Sequence, residues 1–228
     1  MKVWVTRTEP GAGETAERLR ALGHEPVVAP LLAVRPLPFS VPENVGALAF
    51  TSRNAVAAVA DRSEMELWRT LPIYAVGDAT AEAARTVGFR QVESASGDVH
   101  ALGRLLAGRR DAWTGGVLHP AAREPADALG ADGVAVLSVP AYEAVDQPVA
   151  DTVREVWEEL DAVLIHSPRA ARVLAREVKS LPLARIAAAC ISEAAAQPMR
   201  GLVARIAVAD QPNETALLHA LGKLGADR

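Results

Sequence analysis

The chain has 228 residues, of which 50% are hydrophobic and 23% are charged, and its formal net charge is −4. This hydrophobic content argues against disorder and allows a sizeable core. The negative balance provides no field that would attract nucleic acid or an anionic membrane. No apolar run reaches the roughly 20 residues that a membrane-spanning helix needs.

Cysteine usage and the N-terminus indicate a cellular compartment. Cys190 is the only cysteine, so no disulfide can form within the chain, which is typical of a reducing cytosol. The first residues run directly into a strand pattern, and we therefore expect no signal peptide. The sequence predicts a cytoplasmic protein.

The first predicted elements alternate between strand and helix. We predict a strand over residues 3–6, a helix over 14–22 that ends at Gly23, and a strand over 26–28. Residues 35–42 then contain three prolines within seven positions. Neither a helix nor a central strand tolerates that spacing, so this segment is predicted to be an extended linker.

The middle of the chain continues the alternation. Strands are predicted over residues 47–51 and 73–76, and helices over 79–87 and 99–107. Ser52 and Asp98 stand where a side chain can cap the helix that follows. After residue 115 the pattern restarts. The predicted elements are a strand at 117–119, a helix near 124–129, a strand at 134–139, a linker at 142–148, a helix at 149–160, strands at 162–166 and 186–189, a helix from Glu193, a strand at 205–208 and a helix at 214–224.

Two stretches of the chain resemble each other. Residues 48–56 and 163–171 both read as a buried strand, a polar turn and a helix, and residues 73–81 and 186–194 form a second matching pair. A glycine follows each second unit at the same distance, Gly88 and Gly201. This duplication predicts two similar α/β domains that face each other, with the polar strand-end turns lining the cleft.

Common cofactor and catalytic motifs are missing from the sequence. It has no cysteine cluster and no His-x-x-x-His pair, which argues against a metal site. Gly11-Ala12-Gly13 lacks the third glycine of a dinucleotide-binding loop, and no serine lies in a Gly-x-Ser-x-Gly turn. We therefore expect a protein without cofactors.

The strand-end turns are the remaining candidate sites. Each places hydroxyl and backbone N–H groups at a predicted helix start, where an anion can bind. The residues concerned are Thr51, Ser52, Asn54, Thr80, Ser96, Ser167 and Ser192. Simple helix capping is an equally good explanation for any single turn.

Two arginines and one tyrosine complete the set. Arg7 follows the first strand and Arg123 lies at the matching region of the second half, and either could bind a carboxylate with two hydrogen bonds. A solvated surface position is an equal alternative for Arg123. Tyr142 could be a packed aromatic side chain near a linker. His119 and His166 end apolar strands and are interpreted as structural.

The order and spacing of these motifs resemble the uroporphyrinogen-III synthase family, and the resemblance covers nearly the whole chain. It rests on Val5-Thr6-Arg7, Phe50-Thr51-Ser52-x-Asn54-Ala55-Val56, Ala75-Val76-Gly77-x-x-Thr80-Ala81 with Gly88, Val139-x-x-Tyr142, and Ser167-Pro168.

The resemblance implies a fold of two similar parallel-sheet α/β domains that are joined by a two-stranded linker, with the chain crossing between them twice. One domain would consist of residues 1–35 and 148–228. The other would consist of residues 36–147, including both linkers.

The resemblance also implies an activity. Family members use no cofactor and close hydroxymethylbilane to uroporphyrinogen III: water leaves the first ring, and the last ring inverts through a spiro intermediate. Tyr142 would assist departure of the hydroxyl. Gly77, Arg7, Arg123 and the strand-end residues named above would bind substrate. We also expect a monomer.

This sequence departs from the family pattern at its second Gly-x-x-Thr-Ala copy. That copy reads Cys190-Ile191-Ser192-Glu193-Ala194. Pro198 falls within the helix that follows and should kink or shorten it. An alternative is therefore a non-catalytic paralogue that binds a tetrapyrrole or another polyanion. A duplicated receiver-like module is a weaker alternative, because no acidic cluster stands at the strand ends.

Overall fold

The computed structural model describes residues 1–125, 127–177 and 182–226. Its contacts divide the chain into two compact units. Unit 1 consists of Met1–Ala33 and Val145–Arg228, and unit 2 consists of Val34–Ala144. The boundaries that we predict for the folding domains, after residues 35 and 147, stay a prediction. No helix within the described ranges combines the length and apolarity that crossing a bilayer requires.

Strands and helices alternate along most of the chain, as the sequence predicts, but consecutive strands occupy residues 25–50 and 116–146. The strands are β1 (Lys2–Val5), β2 (Glu25–Val28), β3 (Leu32–Pro36), β4 (Val45–Phe50), β5 (Pro72–Ala75), β6 (Gln91–Ser94), β7 (Gly116–Ala122), β8 (Val136–Asp146), β9 (Ala162–Ile165), β10 (Ala187–Cys190) and β11 (Arg205–Val208). The α-helices are α1 (Gly11–Ala21), α2 (Arg53–Ala60), α3 (Met65–Trp68), α4 (Asp78–Thr86), α5 (Val99–Arg109), α6 (Asp151–Glu155), α7 (Pro168–Arg176), α8 (Glu193–Ala196) and α9 (Glu214–Ala226).

Helix starts follow the capping residues in the sequence. The Ser52 hydroxyl accepts the backbone N–H of Ala55 at 3.1 Å, and the Asp98 carboxylate accepts that of Ala101 at 2.8 Å. Ser167 caps α7 in the same way, with proline at the first helical position. Side-chain caps of this kind contribute about 1 kcal/mol each. At the end of α1, Gly23 has a φ of 77°, a conformation that favours glycine.

Unit 1 contains a parallel sheet in the order β11-β10-β9-β1-β2. Side chains alternate between its faces because successive strand residues point in opposite directions. Val3, Val5 and Leu164 pack with α1 and α9 on one face. Trp4 and Val163 pack with α6, α7 and α8 on the other. Both faces are buried, as expected for a parallel sheet between two layers of helices.

Unit 2 contains a sheet in the order β3-β8-β7-β4-β5-β6. The neighbouring pairs from β8 to β6 are parallel. Leu48 and Phe50 pack against α2, α3 and α4, whereas Ala47, Ala49 and Tyr74 face α5. Each fully buried large side chain in such a core contributes roughly 1.5–3 kcal/mol.

Both segments that the sequence predicts as linkers contain paired strands. The N–H of Leu37 donates to the carbonyl of Ala141 at 2.8 Å, and that of Gln147 donates to the carbonyl of Leu31 at 2.9 Å. Residue numbers rise on β3 as they fall on β8, so this pair is antiparallel. Residues 142–146 are therefore part of the long strand β8 and not a loop. The chain passes between the two units twice, after Ala33 and after Ala144.

The helix predicted near residues 124–129 is wrong, because residues 124, 125 and 127–129 are not helical and residue 126 lies outside the described part. β7 continues to Ala122, and the N–H of Arg123 then donates to the carbonyl of Tyr142 at 2.8 Å. The backbone is thus hydrogen-bonded to β8 up to Arg123, the residue before Glu124. Pro125 further disfavours a helical conformation for the residue that precedes it.

The helix predicted over residues 149–160 is shorter in the structure. α6 ends at Glu155, and a 3₁₀ turn follows over Trp157–Glu159, with the N–H of Glu159 donating to the carbonyl of Val156. The tighter turn accompanies burial of both Trp157 and Leu160 in the unit 1 core. The effect predicted for Pro198 is confirmed: α8 is four residues long and continues as a 3₁₀ turn over Gln197–Met199.

Candidate active site

Tyr142 and Ser52 meet at the carboxyl end of β4 in unit 2. The phenol oxygen lies 2.8 Å from Ser52 Oγ, which also accepts the Ala55 N–H. A serine hydroxyl that accepts this N–H keeps its own proton for donation. When Ser52 donates to the phenol oxygen, the phenol proton of Tyr142 is left for a ligand. The pair can therefore act as a hydrogen-bond donor aimed by the start of α2.

His119 lies beside Thr51, the residue before Ser52. Its Nε2 is 3.2 Å from Thr51 Oγ1 and its Nδ1 is 2.9 Å from Ser138 Oγ. His119 is only 2% exposed, and this burial lowers its pKa from 6.5 to about 4. The ring is therefore neutral at pH 7, with one nitrogen that donates and one that accepts. It holds the Thr51 hydroxyl without adding a charge.

A cavity of about 480 Å³ opens beside these hydroxyl groups within unit 2. This volume is in the range of roughly 300–1,000 Å³ that is typical of small-molecule sites. Its lining residues come from the ends of several strands and the starts of two helices. They are Thr51, Ser52, Val76, Asp98, Val99, His100, Ala122, Glu124, Pro125, Asp127 and Tyr142.

A larger opening of about 790 Å³ lies in unit 1, on α1, α9 and the turn after α1. It contains none of the residues that the sequence singles out. The smaller cavity is the better candidate site, because it has Tyr142 and two hydroxyl groups at the carboxyl ends of parallel strands.

Gly77, Thr80 and Asn54 stand at helix starts near this sheet edge. Gly77 caps α4 with extended backbone, and a Cβ built there would meet nothing within 4 Å. The backbone at Gly77 is thus open to close approach by a ligand. Thr80 is only 6% exposed, and its N–H donates to the Gly77 carbonyl at 3.1 Å. Asn54 is partly buried at the second position of α2.

Ser96 and Arg123 already have partners within unit 2. The Ser96 hydroxyl donates to Asp78 Oδ1 at 3.1 Å. Hydrogen bonds from Ser94 and Ser96 hold the pKa of Asp78 below its usual value. Nη1 of the exposed Arg123 lies 3.1 Å from Glu143 Oε2. Ser96 thus connects two neighbouring turns, and Arg123 is paired with a residue of β8. A ligand would have to share or replace these contacts.

Arg7 in unit 1 is paired with Glu214, which begins α9. Nη1 of Arg7 donates to Glu214 Oε2 at 2.8 Å, while the Thr15 hydroxyl donates to Glu214 Oε1 at 2.6 Å. His166 Nε2 lies 3.2 Å from the same carboxylate. Burial opposes ionisation of Glu214, but the His166 and Thr15 hydrogen bonds and the nearby positive charges lower its pKa to about 2. Burial lowers the pKa of His166, so the ring is a neutral donor at pH 7.

Ser167 and Ser192 cap α7 and α8 of unit 1, and each accepts an N–H three residues later. The residue after Ser192 is Glu193, whose carboxylate forms an ion pair with Arg200. This pairing offsets the negative charge that the sequence places at the second motif copy.

The structure therefore brings three of the predicted site residues, Thr51, Ser52 and Tyr142, onto one cavity. Asn54, Gly77, Thr80, Ser96 and Arg123 belong to the same unit, whereas Arg7, Ser167 and Ser192 belong to unit 1.

Sequence reasoning missed the contact of His119 with Thr51 and the role of Ser138 behind it. It also missed the acidic residues of the cavity wall, Asp98, Glu124 and Asp127. The Ser96-Gly97 turn could have pointed to Asp98. Ser138 gives no local signal. Among the described residues, no group of three or more His, Cys, Asp or Glu side chains is arranged to hold a metal ion.

The parallel strands of unit 2 and the polar cavity at their carboxyl ends define an α/β protein with a candidate small-molecule site. The family model described as Uroporphyrinogen-III synthase HemD matches residues 13–219. The chain belongs to this family of lyases.

Solved structures agree with this assignment at the level of the fold. Uroporphyrinogen-III synthetase from Helicobacter pylori has a TM-score of 0.65 at 18% identity, with 98% of each chain covered. A mutant uroporphyrinogen III synthase from Thermus thermophilus has a TM-score of 0.50 at 16% identity, with 100% of each chain covered. A comparison with curated proteins found no match.

Proposed function

We propose that the chain closes hydroxymethylbilane to uroporphyrinogen III, with loss of water and inversion of the last pyrrole ring through a spiro intermediate. Membership of the uroporphyrinogen-III synthase family supports this activity. The observation that carries the proposal is the Tyr142–Ser52 pair on a polar cavity of suitable size.

Tyr142 is the proposed catalytic residue. Loss of water from a hydroxymethyl carbon is easier when the departing oxygen receives a hydrogen bond. When Ser52 donates to the phenol oxygen, this hydrogen bond polarises the phenol O–H for its own donation. Tyr142 is 9% exposed, so the hydrogen bond would form in a partly desolvated place where it is strengthened.

The carboxylates of the cavity wall suggest which part of the substrate lies against Tyr142. Asp98, Glu124 and Asp127 would repel the acetate and propionate groups of the substrate. We therefore place the hydroxymethyl carbon and its pyrrole ring, not an acid side chain, in this cavity. A pyrrole that loses hydroxide becomes positively charged, and nearby carboxylates favour such a charge.

The acid side chains of the substrate would bind at helix starts and at the two arginines. Helix starts offer N–H groups without intrahelical partners, which suit carboxylates. In unit 2 the residues proposed to bind these acid groups are Asn54, Gly77, Thr80, Ser96 and Arg123. In unit 1 they are Arg7, Ser167 and Ser192. Thr51 and Ser52 are proposed to bind the pyrrole ring that lies in the cavity. Pairing of Glu193 with Arg200 offsets the negative charge on which the alternative of a non-catalytic paralogue rests.

The test is an isomer analysis. Freshly generated hydroxymethylbilane closes on its own to isomer I, and the purified chain should divert it to isomer III. A chelator should leave the rate unchanged, since the proposed chemistry needs no metal. Formation of isomer I alone at high protein concentration would contradict the proposal.

Two further features are proposed, the cellular location and the oligomeric state. We infer a cytoplasmic location from the single buried cysteine, Cys190. We also propose a monomer, which sedimentation equilibrium of the purified chain would test. A mass of about twice 24.0 kDa would contradict the monomer.

A further inference from the structure

Four side chains from four separate segments meet in unit 1. Arg7 follows β1, Thr15 lies in α1, His166 follows β9 and Glu214 begins α9. Glu214 is the common partner, at 2.8 Å from Arg7, 2.6 Å from Thr15 and 3.2 Å from His166. A carboxylate that receives three hydrogen bonds has a fixed position, and so have the groups that donate to it.

The guanidinium of Arg7 is also held from a second side. A Cβ built on Gly11 would lie 2.6 Å from Cζ, Nε and Nη2 of Arg7, which is far closer than van der Waals contact. The guanidinium therefore packs on the bare backbone at the start of α1. Its side chain remains 28% exposed. An arginine that is mobile on the surface would not require a glycine beneath its guanidinium or a carboxylate held in a fixed position.

This arrangement leaves part of the guanidinium for another anion. In the described part of the chain, the hydrogen bonds of Arg7 run through Nη1, to Glu214 and to Thr15 at 3.4 Å. Nε and Nη2 are donors of the same planar group, which matches a carboxylate. Glu214 accepts from Nη1 alone, so Nε and Nη2 remain as donors for a substrate carboxylate.

We propose that Glu214 is a positioning residue that aims Arg7 at a carboxylate of the substrate, and that Gly11 provides the space for this aimed conformation. The inference rests on the proposed function and deepens it. It makes unit 1 a specific carboxylate-binding site whose geometry depends on a residue 207 positions away in sequence.

Gly11→Ala tests the proposal, with Gly13→Ala as its matched control. Gly11 begins α1, where alanine is compatible with the helix, so the new methyl group should push the guanidinium aside without unfolding the chain. A Cβ at Gly13 meets only Glu9 Oε2 at 3.5 Å, an ordinary contact. We expect KM to rise about 10-fold in Gly11→Ala, as for a lost charge-assisted hydrogen bond, with little change in kcat. Gly13→Ala should keep the wild-type KM.

Two further variants test whether Glu214 positions the Arg7 guanidinium or only stabilises the fold. Glu214→Gln keeps the shape of the side chain and should raise KM in the same way as Gly11→Ala. In an Arg7→Ala background, adding Gly11→Ala should change KM no further, because the group that the methyl displaces is gone. Equal KM values for Gly11→Ala and Gly13→Ala, with normal production of isomer III, would overturn this inference and leave the proposed function intact.

Binding of uroporphyrin III can be measured by the quenching of tryptophan fluorescence, and this measurement does not depend on catalysis. Its Kd should rise in Gly11→Ala and stay unchanged in Gly13→Ala. If the wild type makes no isomer III, the proposed function fails while this binding test still applies. Absence of saturable uroporphyrin binding by the wild type would overturn the inference.

Discussion

Burial of His119 should make the stability of unit 2 depend on pH. The ring is 2% exposed, and burial lowers its pKa from 6.5 to about 4. As pH falls, the unfolded chain therefore binds a proton at this residue before the folded chain does. The favourable contribution of neutral His119 is complete above pH 6.5 and is lost progressively as pH falls through 6.5 towards 4.

The size of this effect follows from the two pKa values. Each unit of difference corresponds to about 1.4 kcal/mol, so the whole shift is worth about 3 kcal/mol. Near pH 5 most unfolded molecules carry the proton and most folded ones do not. We therefore expect about 2 kcal/mol of unfolding free energy to be lost between about pH 7.5 and pH 5 through this residue alone.

Two measurements check this prediction. The ring protons of His119, followed by NMR, should titrate with a pKa near 4 and not near 6.5. Urea unfolding at about pH 7.5 and pH 5 should show a steeper loss of stability for the wild type than for His119→Gln. The buried His166 contributes to both proteins equally and cancels in this comparison.

The matched control is His100→Gln, at an exposed histidine of the same unit. It should retain the pH dependence of the wild type. If His119→Gln also retains it, within about 0.5 kcal/mol, then burial of His119 does not control stability and our reasoning on its neutral state is wrong.

Other predictions concern the cavity. Tyr142→Phe should lower kcat about 10-fold and leave the affinity for uroporphyrin nearly unchanged. This loss is smaller than the usual contribution of acid catalysis, because the substrate can lose water unaided. Full activity of the variant would show that Tyr142 does not take part in the mechanism. Ser52→Ala should lower kcat by a similar factor, and the double variant should be little worse than either single one, whereas additive losses would contradict joint action. Gly77→Ala should keep the melting temperature of the wild type, because the backbone at Gly77 is extended and its surroundings are open. The new methyl group should raise KM, because it obstructs the approach of the substrate to this backbone. An unchanged KM would place the substrate elsewhere.

Local signals in the sequence were sufficient for most elements of the fold. Ser52, Asp98 and Ser167 each cap the helix that directly follows, and the signal and its effect lie within three residues. Pro198 ended α8 in the same local way. The helix predicted near residues 124–129 failed because pairing of β7 with β8 decided the conformation at its start. Helix propensity depends on near neighbours in the sequence, so it cannot take into account pairing with a distant strand such as β8.

The sequence by itself determined the α/β class, the repeated pattern and the residue types at the strand ends, because these depend on spacing and on interactions between near neighbours. Only the tertiary structure decided which of those residues meet. Ser52 contacts Tyr142 across 90 positions, Thr51 contacts His119 across 68, and Arg7 contacts Glu214 across 207. Each contact requires a particular order of strands in the sheet, and that order results from packing of both sheet faces against helices. Composition and spacing do not specify it, so the chemistry of the site became visible only in the folded chain.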